Sequence, residues 1–360
     1  MTVHSTCQVY MMLRFYLLVI QSCLGIVAGS SWTYTGPHGQ EHWAHSFPDC
    51  GGTAQSPINI QTANVSLDTS LPPIEPEGYT TPGTKPFTLR NNGHTVVMSL
   101  PPSMYLRGLP KKFTAVQLHL HWGSKTNPGG SEHQIDNEIF PAELHIVHYN
   151  SDNYANISQA QDKPDGLAVL GILIETGIEN NAGYDNILRY LENVRHAGDS
   201  MSIPSFDIQQ LFPENLNIYY RYRGSLTTPP CYQSVLWTVF HQKARISESQ
   251  LEALQKTLFS TGRDTSSIQL ENNVRVPQSL NQRKVYISTL MEPKTTFPAG
   301  KIVAIIFGIL GMLLGIALIT LRVIQIKRKN KKEMGEKPND VVLKSPSSPV
   351  EIPDEKPSQP

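Results

Sequence analysis

The stretch Gln117-Leu118-His119-Leu120-His121-Trp122 sets two imidazoles two residues apart among apolar side chains. In a β-strand, side chains alternate between faces. His119 and His121 therefore share one face with Gln117, and Leu118, Leu120 and Trp122 share the other. A second alternating run, Ala142-Glu143-Leu144-His145-Ile146-Val147-His148, puts Glu143, His145 and Val147 on one face. If the two strands pair, His145 joins His119 and His121 in a three-imidazole set. Three neutral histidines suit Zn2+ and leave its fourth tetrahedral position to water, the pattern of a site that does chemistry. A metal-bound ring needs an acceptor on its other nitrogen. Gln117 and Glu143 each lie two residues before a candidate ligand on its own face and are placed to supply one. The competing reading is a set of satisfied or solvated strand histidines, and spacing alone leaves both open.

The ends of the chain bound the domain that must carry these strands. Residues 1–30 read as a secretory signal, with Arg14 ahead of a short apolar run, and Met11 or Met12 as alternative starts. From Ile302 to Leu321 the chain runs 20 residues without a charge, enough to cross a bilayer as a helix. Lys301 precedes this run, and Arg322, Lys327, Arg328, Lys329, Lys331 and Lys332 follow it, which puts the C-terminal side in the cytoplasm. The expected layout is a single-pass type I protein of the plasma membrane. It comprises the signal, an extracellular domain over 31–289, a stalk over 290–301, the span over 302–321 and a tail over 322–360. The tail, basic first and then rich in Pro and Ser, is expected to be disordered.

Cys7 and Cys23 fall in the leader, so Cys50 and Cys231 remain, and in an oxidising compartment they most simply form one disulfide. Asn64 and Asn156 head N-glycosylation sequons. The formal net charge of +0 gives no indication of a nucleic-acid or acidic partner. Gly311 and Gly315 form a GxxxG motif within the span, which permits helix pairing and makes a homodimer a candidate assembly.

The domain alternates short β-rich segments with Pro, Gly and Asn turns: TVVMSL, AVQLHLHW, AELHIVHY, LAVLGILIE, NIYYRYRGSL and SVLWTVF, with SPINI and VYIST as shorter additions. Helical patterns are few. The best are YDNILRYLENV and SESQLEALQKTLFS, the second opening with Ser247 and Gln250 at capping-box spacing. The expected fold class is mainly β: a large, mostly antiparallel sheet with short peripheral helices.

QLHLHWG, GGSEHQID, AELHIVHYN, GLAVLGILIE and GSLTTPPCYQSVLWTVF, with QSPINI, NNGHTV and LNQR in order around them, together resemble the α-carbonic anhydrases from about Trp32 to Ser288. The signal, span and basic tail resemble that family's membrane-anchored branch. The resemblance implies a twisted sheet of that family's type, a zinc cofactor and reversible hydration of CO2 to bicarbonate and a proton. It matches His119, His121 and His145 to the zinc ligands. Gln117, Glu143 and the backbone carbonyl of Asn273 match the groups that hold the ligand rings. Thr227 matches the residue that orients the zinc-activated water, and Glu132 the carboxylate to which Thr227 donates.

Val147, Val169, Leu226, Val235 and Trp237 match the apolar wall for CO2, and Thr228 the bicarbonate side. His94 matches the proton shuttle, for which an imidazole pKa near about 6.5 is suited. Tyr34 matches a residue that orders the proton-carrying waters, and Cys50 with Cys231 the disulfide of extracellular members. Bicarbonate transporters become candidate neighbours. Val97 departs from the pattern, because relatives generally carry Gln or Asn there; this bears on the water chain more than on the zinc. Some members of the superfamily have lost ligand histidines and act as binding modules. That alternative is disfavoured by the presence of all three histidines with Thr227 and Glu132. Ester hydrolysis would use the same activated water on a larger substrate.

Overall fold

Alternation of side chains explains how the central strands divide the interior. In the strand Leu167–Gly177, Ala168, Leu170, Ile172 and Ile174 enter one apolar cluster, whereas Leu167, Val169 and Leu173 enter another. Leu144 and Ile146 likewise join the first cluster, and Val147 the second. The computed structural model that carries these contacts describes residues 31–80, 83–289 and 299–333. The signal, most of the stalk and the tail beyond Glu333 lie outside the described residues.

Among the described residues the strands form one 13-stranded sheet and a small two-stranded one. Along the large sheet the order is Ser200–Ile203, Phe87–Asn91, Val96–Ser99, Phe113–Trp122, Ala142–Asn150, Leu167–Gly177, Val235–Phe240, Tyr219–Gly224, Tyr286–Ile287, Ser66–Leu67. Pairing is mostly antiparallel. Leu167–Gly177 runs parallel to Val235–Phe240 and to Ala244–Ser247, so the sheet is mixed at its centre. The first cluster packs under the helices Ala182–Leu188 and Glu248–Thr257, which contribute Tyr184, Ile187, Leu251 and Leu254.

Both helices start on side-chain caps. Asn181 accepts from the backbone N–H groups of Gly183 and Tyr184. Ser247 and Gln250 form the expected reciprocal box, at 3.2 and 3.0 Å. The run YDNILRYLENV does not make one helix. It splits after Leu188, and a short 3-10 turn covers Leu191–Val194.

Register across the sheet is what places the site. One row reads Val97, His119, His145, Gly171, on four adjacent strands. The next row toward one end reads Gln117, Val147, Val169, Trp237. A bulge between Ala115 and Gln117 inserts one residue into the Phe113–Trp122 strand just before these rows begin. The face presented by Gln117, His119 and His121 is thereby aligned with that of Glu143, His145 and Val147.

A second unit, Glu292–Pro360, is described over the helix Ala299–Glu333. Ile306–Lys332 is long and apolar enough to cross a membrane. The helix begins within the expected stalk. It also continues through the basic run Arg322–Lys332, which corrects the expectation of disorder for the start of the tail. That stretch holds no Gly or Pro and is rich in Arg and Lys, so a helix nucleated upstream propagates through it at little cost.

Candidate metal centre and active site

His119 and His145 are direct cross-strand partners, and His121 stands opposite Glu143. The three imidazole centroids lie 5.0, 5.2 and 4.6 Å apart. One nitrogen of each ring is spent on the protein. His119 Nδ1 donates to Gln117 Oε1 at 3.0 Å, His121 Nδ1 to the Asn273 carbonyl at 2.7 Å, and His145 Nε2 to Glu143 Oε1 at 2.7 Å. The remaining nitrogens face inward, all within 4.8 Å of one another. Between His121 Nε2 and His145 Nδ1 the gap is 3.1 Å.

Burial, reinforced for His119 by its neighbouring rings, pulls the pKa of His119 well below 6.5. It holds His121 at about 4. His145 is also lowered by burial, against the opposing pull of Glu143. All three are therefore neutral at pH 7, the form that ligates a metal.

Glu143 is the hub beneath them. Its Oε1 accepts from His145 and from His133 Nδ1 at 2.7 Å, and its Oε2 accepts the backbone N–H groups of Glu132 and His133 at 2.8 and 2.7 Å. Burial pushes this carboxyl up, but His133, His145 and the bonds they donate outweigh it and hold the pKa well below the ordinary range. His133 is fixed in turn by Tyr222 Oη at 2.7 Å, and Tyr222 donates to Ser56 Oγ at 2.9 Å. Gly171 lies beside this hub, and a Cβ there would crowd Glu143 Oε1 at 3.2 Å.

Glu132 is fully buried, and its Oε1 accepts the Arg275 backbone N–H at 2.9 Å. Burial pushes the carboxyl up to about 7, while His145 and a side-chain hydrogen bond from Thr227 pull the other way. Oε2 lies 3.4 Å from His121 Nε2 and 3.8 Å from His145 Nδ1 and has no hydrogen-bond partner among the described residues. Three inward nitrogens on neutral rings, with a partnerless carboxylate oxygen beside two of them, are a donor set that fits a zinc ion. The second cluster of candidate ligands, His133, Glu143 and His145, is already joined internally by the hydrogen bonds of the hub.

Thr227 sits in the loop between Tyr219–Gly224 and Val235–Phe240. The loop is closed by Leu226 N–H to the Tyr232 carbonyl at 3.0 Å and by Cys231 N–H to the Thr228 carbonyl at 2.9 Å. Cys231 takes a positive φ of 59° and is bonded to Cys50, so the disulfide expected from the sequence clamps this loop. Arg275 braces the 50–56 segment to which this loop is tied, donating to Gln55 Oε1 at 2.7 Å and to the carbonyls of Ser56 and Cys50 at 2.9 and 3.1 Å.

Val147, Val169, Val235 and Trp237 are buried in one apolar cluster, with Leu226 at its edge, and the Trp237 ring lies 4.8 Å from that of His145. His94 is half-buried and stacks on Trp32 at 3.7 Å with a 9° interplanar angle; burial lowers its pKa from 6.5. Tyr34 packs edge-on against Trp32, and burial, then the Glu132 charge, push its phenol well above 10. Asn64 and Asn156 are exposed.

Sequence reasoning did not assign His133, Arg275, Gly171, Ser56 or Tyr222. His133 carried the best available signal, an imidazole directly after Glu132 within an otherwise matched motif.

Residues 38–289 match the model of the eukaryotic-type carbonic anhydrases. The chain belongs to that family. It is 43% identical to human carbonic anhydrase 12 over 327 residues, covering 90% of this chain and 91% of that protein. Dog carbonic anhydrase 6 is 42% identical over 275 residues, covering 75% and 84%. Carbonic anhydrase 1 of Monodelphis domestica is 34% identical over 264 residues, covering 73% and 99%. The chain is therefore a carbonic anhydrase, with CO2 hydration as its class of reaction.

Proposed function

We propose that this chain catalyses reversible hydration of CO2 at the extracellular face of the plasma membrane, with His119, His121 and His145 holding zinc and His94 carrying the proton out. The observation that supports this most strongly is the inward convergence of three neutral ring nitrogens, each ring braced from behind. Zinc held there supplies a Lewis acid that brings deprotonation of a water into the neutral range, an effect for which this family is itself the reference case.

Each side chain then has a distinct task. Ionised Glu132 accepts a hydrogen bond from the Thr227 hydroxyl, so that the threonine oxygen is left to accept, which turns a lone pair of the attacking oxygen toward substrate. CO2 offers no charge to grip and is held by Val147, Val169, Leu226, Val235 and Trp237, which also keep water off that side. Thr228 borders the place where bicarbonate forms. His94, half in solvent, takes the proton released in each hydration and passes it to buffer, with Tyr34 ordering the waters between. Val97, opposite His119, gives that path an apolar edge and should slow it.

The expected layout of signal, extracellular domain, stalk, span and tail belongs to this proposal, as do type I topology and glycans at Asn64 and Asn156. A homodimer paired through Gly311 and Gly315, and bicarbonate transporters as neighbours, are its candidate assemblies. Within the membrane-anchored branch, NNGHTVVMSL and LTTPPCYQSVLWTVF most resemble isoform XIV, with isoform XII the nearest competitor.

Stopped-flow CO2 hydration by the full chain in detergent tests the reaction. The expected result is rapid turnover, lost on chelation and restored by Zn2+, and inhibited by an aromatic sulfonamide. Zinc-loaded protein that leaves CO2 unhydrated would overturn it. Surface biotinylation of intact cells tests the face.

A further inference from the structure

The helix Ala299–Glu333 has 35 residues, about 52 Å at 1.5 Å per residue, whereas a hydrocarbon core takes about 30 Å. The surplus lies on the basic side. After Leu321 the same helix carries Arg322, Lys327, Arg328, Lys329, Lys331 and Lys332 over about 16 Å of rise, with no acidic residue among them. All six are exposed, and none forms an ion pair with a described residue.

At 100° per residue the six charges point to most sides of the helix. The charges cover about 220° of the circumference, and the remaining arc of about 140° holds Val323, Ile326 and Asn330. A protein groove would be met by one charged stripe; charges spread around the axis fit a partner that surrounds it. Because the segment is helical rather than disordered, the charges also stay at fixed depths. Those depths lie within the headgroup layer and about one Debye length beyond it.

We propose that Arg322–Lys332 is a binding collar for anionic lipid headgroups, gathering phosphatidylserine-type or polyphosphorylated lipids around the anchor. The proposal rests on the reading of this helix as a membrane span. Continuity of the helix holds the collar at the surface of the leaflet, and no acid lies between Arg322 and Lys332, so even with Glu333 at the helix end the segment keeps a large positive excess for lipid.

The test uses the full chain reconstituted into phosphatidylcholine vesicles with 10% phosphatidylserine. A donor label at the C-terminus is paired with acceptor-labelled phosphatidylserine or phosphatidylcholine. Energy transfer should report phosphatidylserine enriched about fivefold or more around the helix at low salt, declining toward parity in 0.5 M NaCl. Changing Lys327, Arg328, Lys329, Lys331 and Lys332 together to Gln should abolish the enrichment while the chain stays inserted. Flotation with vesicles of phosphatidylcholine alone, after alkaline extraction, reads insertion independently. A chain that is inserted but shows equal transfer from both lipids, or enrichment unchanged in the five-Gln variant, overturns the collar. A chain extracted by alkali overturns the span beneath it.

Discussion

His145 and His148 stand three residues apart on one strand, are equally buried and have opposite fates. On the inner face, His145 gives only Nε2 to the protein, and its Nδ1 is turned toward the two other inward nitrogens. On the opposite face, His148 has both nitrogens satisfied, Nε2 by Tyr79 Oη at 2.5 Å and Nδ1 by the Ala168 carbonyl at 3.2 Å. Burial holds the pKa of His148 at about 4, so it too is neutral. Burial and neutrality therefore do not distinguish a ligand from a core histidine. The difference is whether one nitrogen is left over, and whether other leftover nitrogens converge on it.

The largest effect that would sharpen this contrast is His145→Ala. It should remove zinc and cut CO2 hydration by about 10³-fold or more, read by metal analysis and stopped flow. Thr227→Ala should keep zinc and lower kcat/KM by about 10²-fold, because it removes only the group that aims the attacking oxygen. Glu143→Gln loosens the brace behind His145, and zinc affinity should fall by roughly 10- to 100-fold in competition with a chelator.

His94→Ala should lower kcat about tenfold in weak buffer, leave kcat/KM unchanged and be rescued by imidazole. In the native chain, kcat for hydration should fall as pH drops through the pKa of His94, below 6.5 because burial lowers it, since only the neutral ring can accept the proton. Replacing His148 should change hydration least.

His148 instead affects stability. Its folded pKa of about 4 lies below the unfolded value near 6.5, so the unfolded chain binds the proton first. Its contribution is complete above about pH 6.5 and is lost as pH falls toward 4, by about 3 kcal/mol at most. Denaturant midpoints of native and His148→Gln chains should converge across that window.

The convergence of the three imidazoles was legible because strand alternation is a local rule: His119, His121 and Glu143-x-His145 each announce their face within three residues. Cross-strand pairing of the two runs was the one long-range step, and hydrophobic alternation fixes such a register. The capping box of Ser247 and Gln250 was legible for the same local reason. His133 and Arg275 were not, because their partners come from residues 50–56, 143 and 222, and no periodicity links those segments. Gly171 was hidden because its function is to leave room. The basic helix was misjudged because charge density suggested disorder, whereas the upstream helix carries through it.

A leftover ring nitrogen is what makes a buried histidine a ligand. Zinc stoichiometry of the native chain beside His145→Ala and His148→Gln, with CO2 hydration measured on the same samples, tests it most directly. One zinc per native chain, none in the first variant and one in the second, with activity following the metal, is the predicted result. Zinc retained with activity in His145→Ala, or lost from a folded His148→Gln, would contradict it.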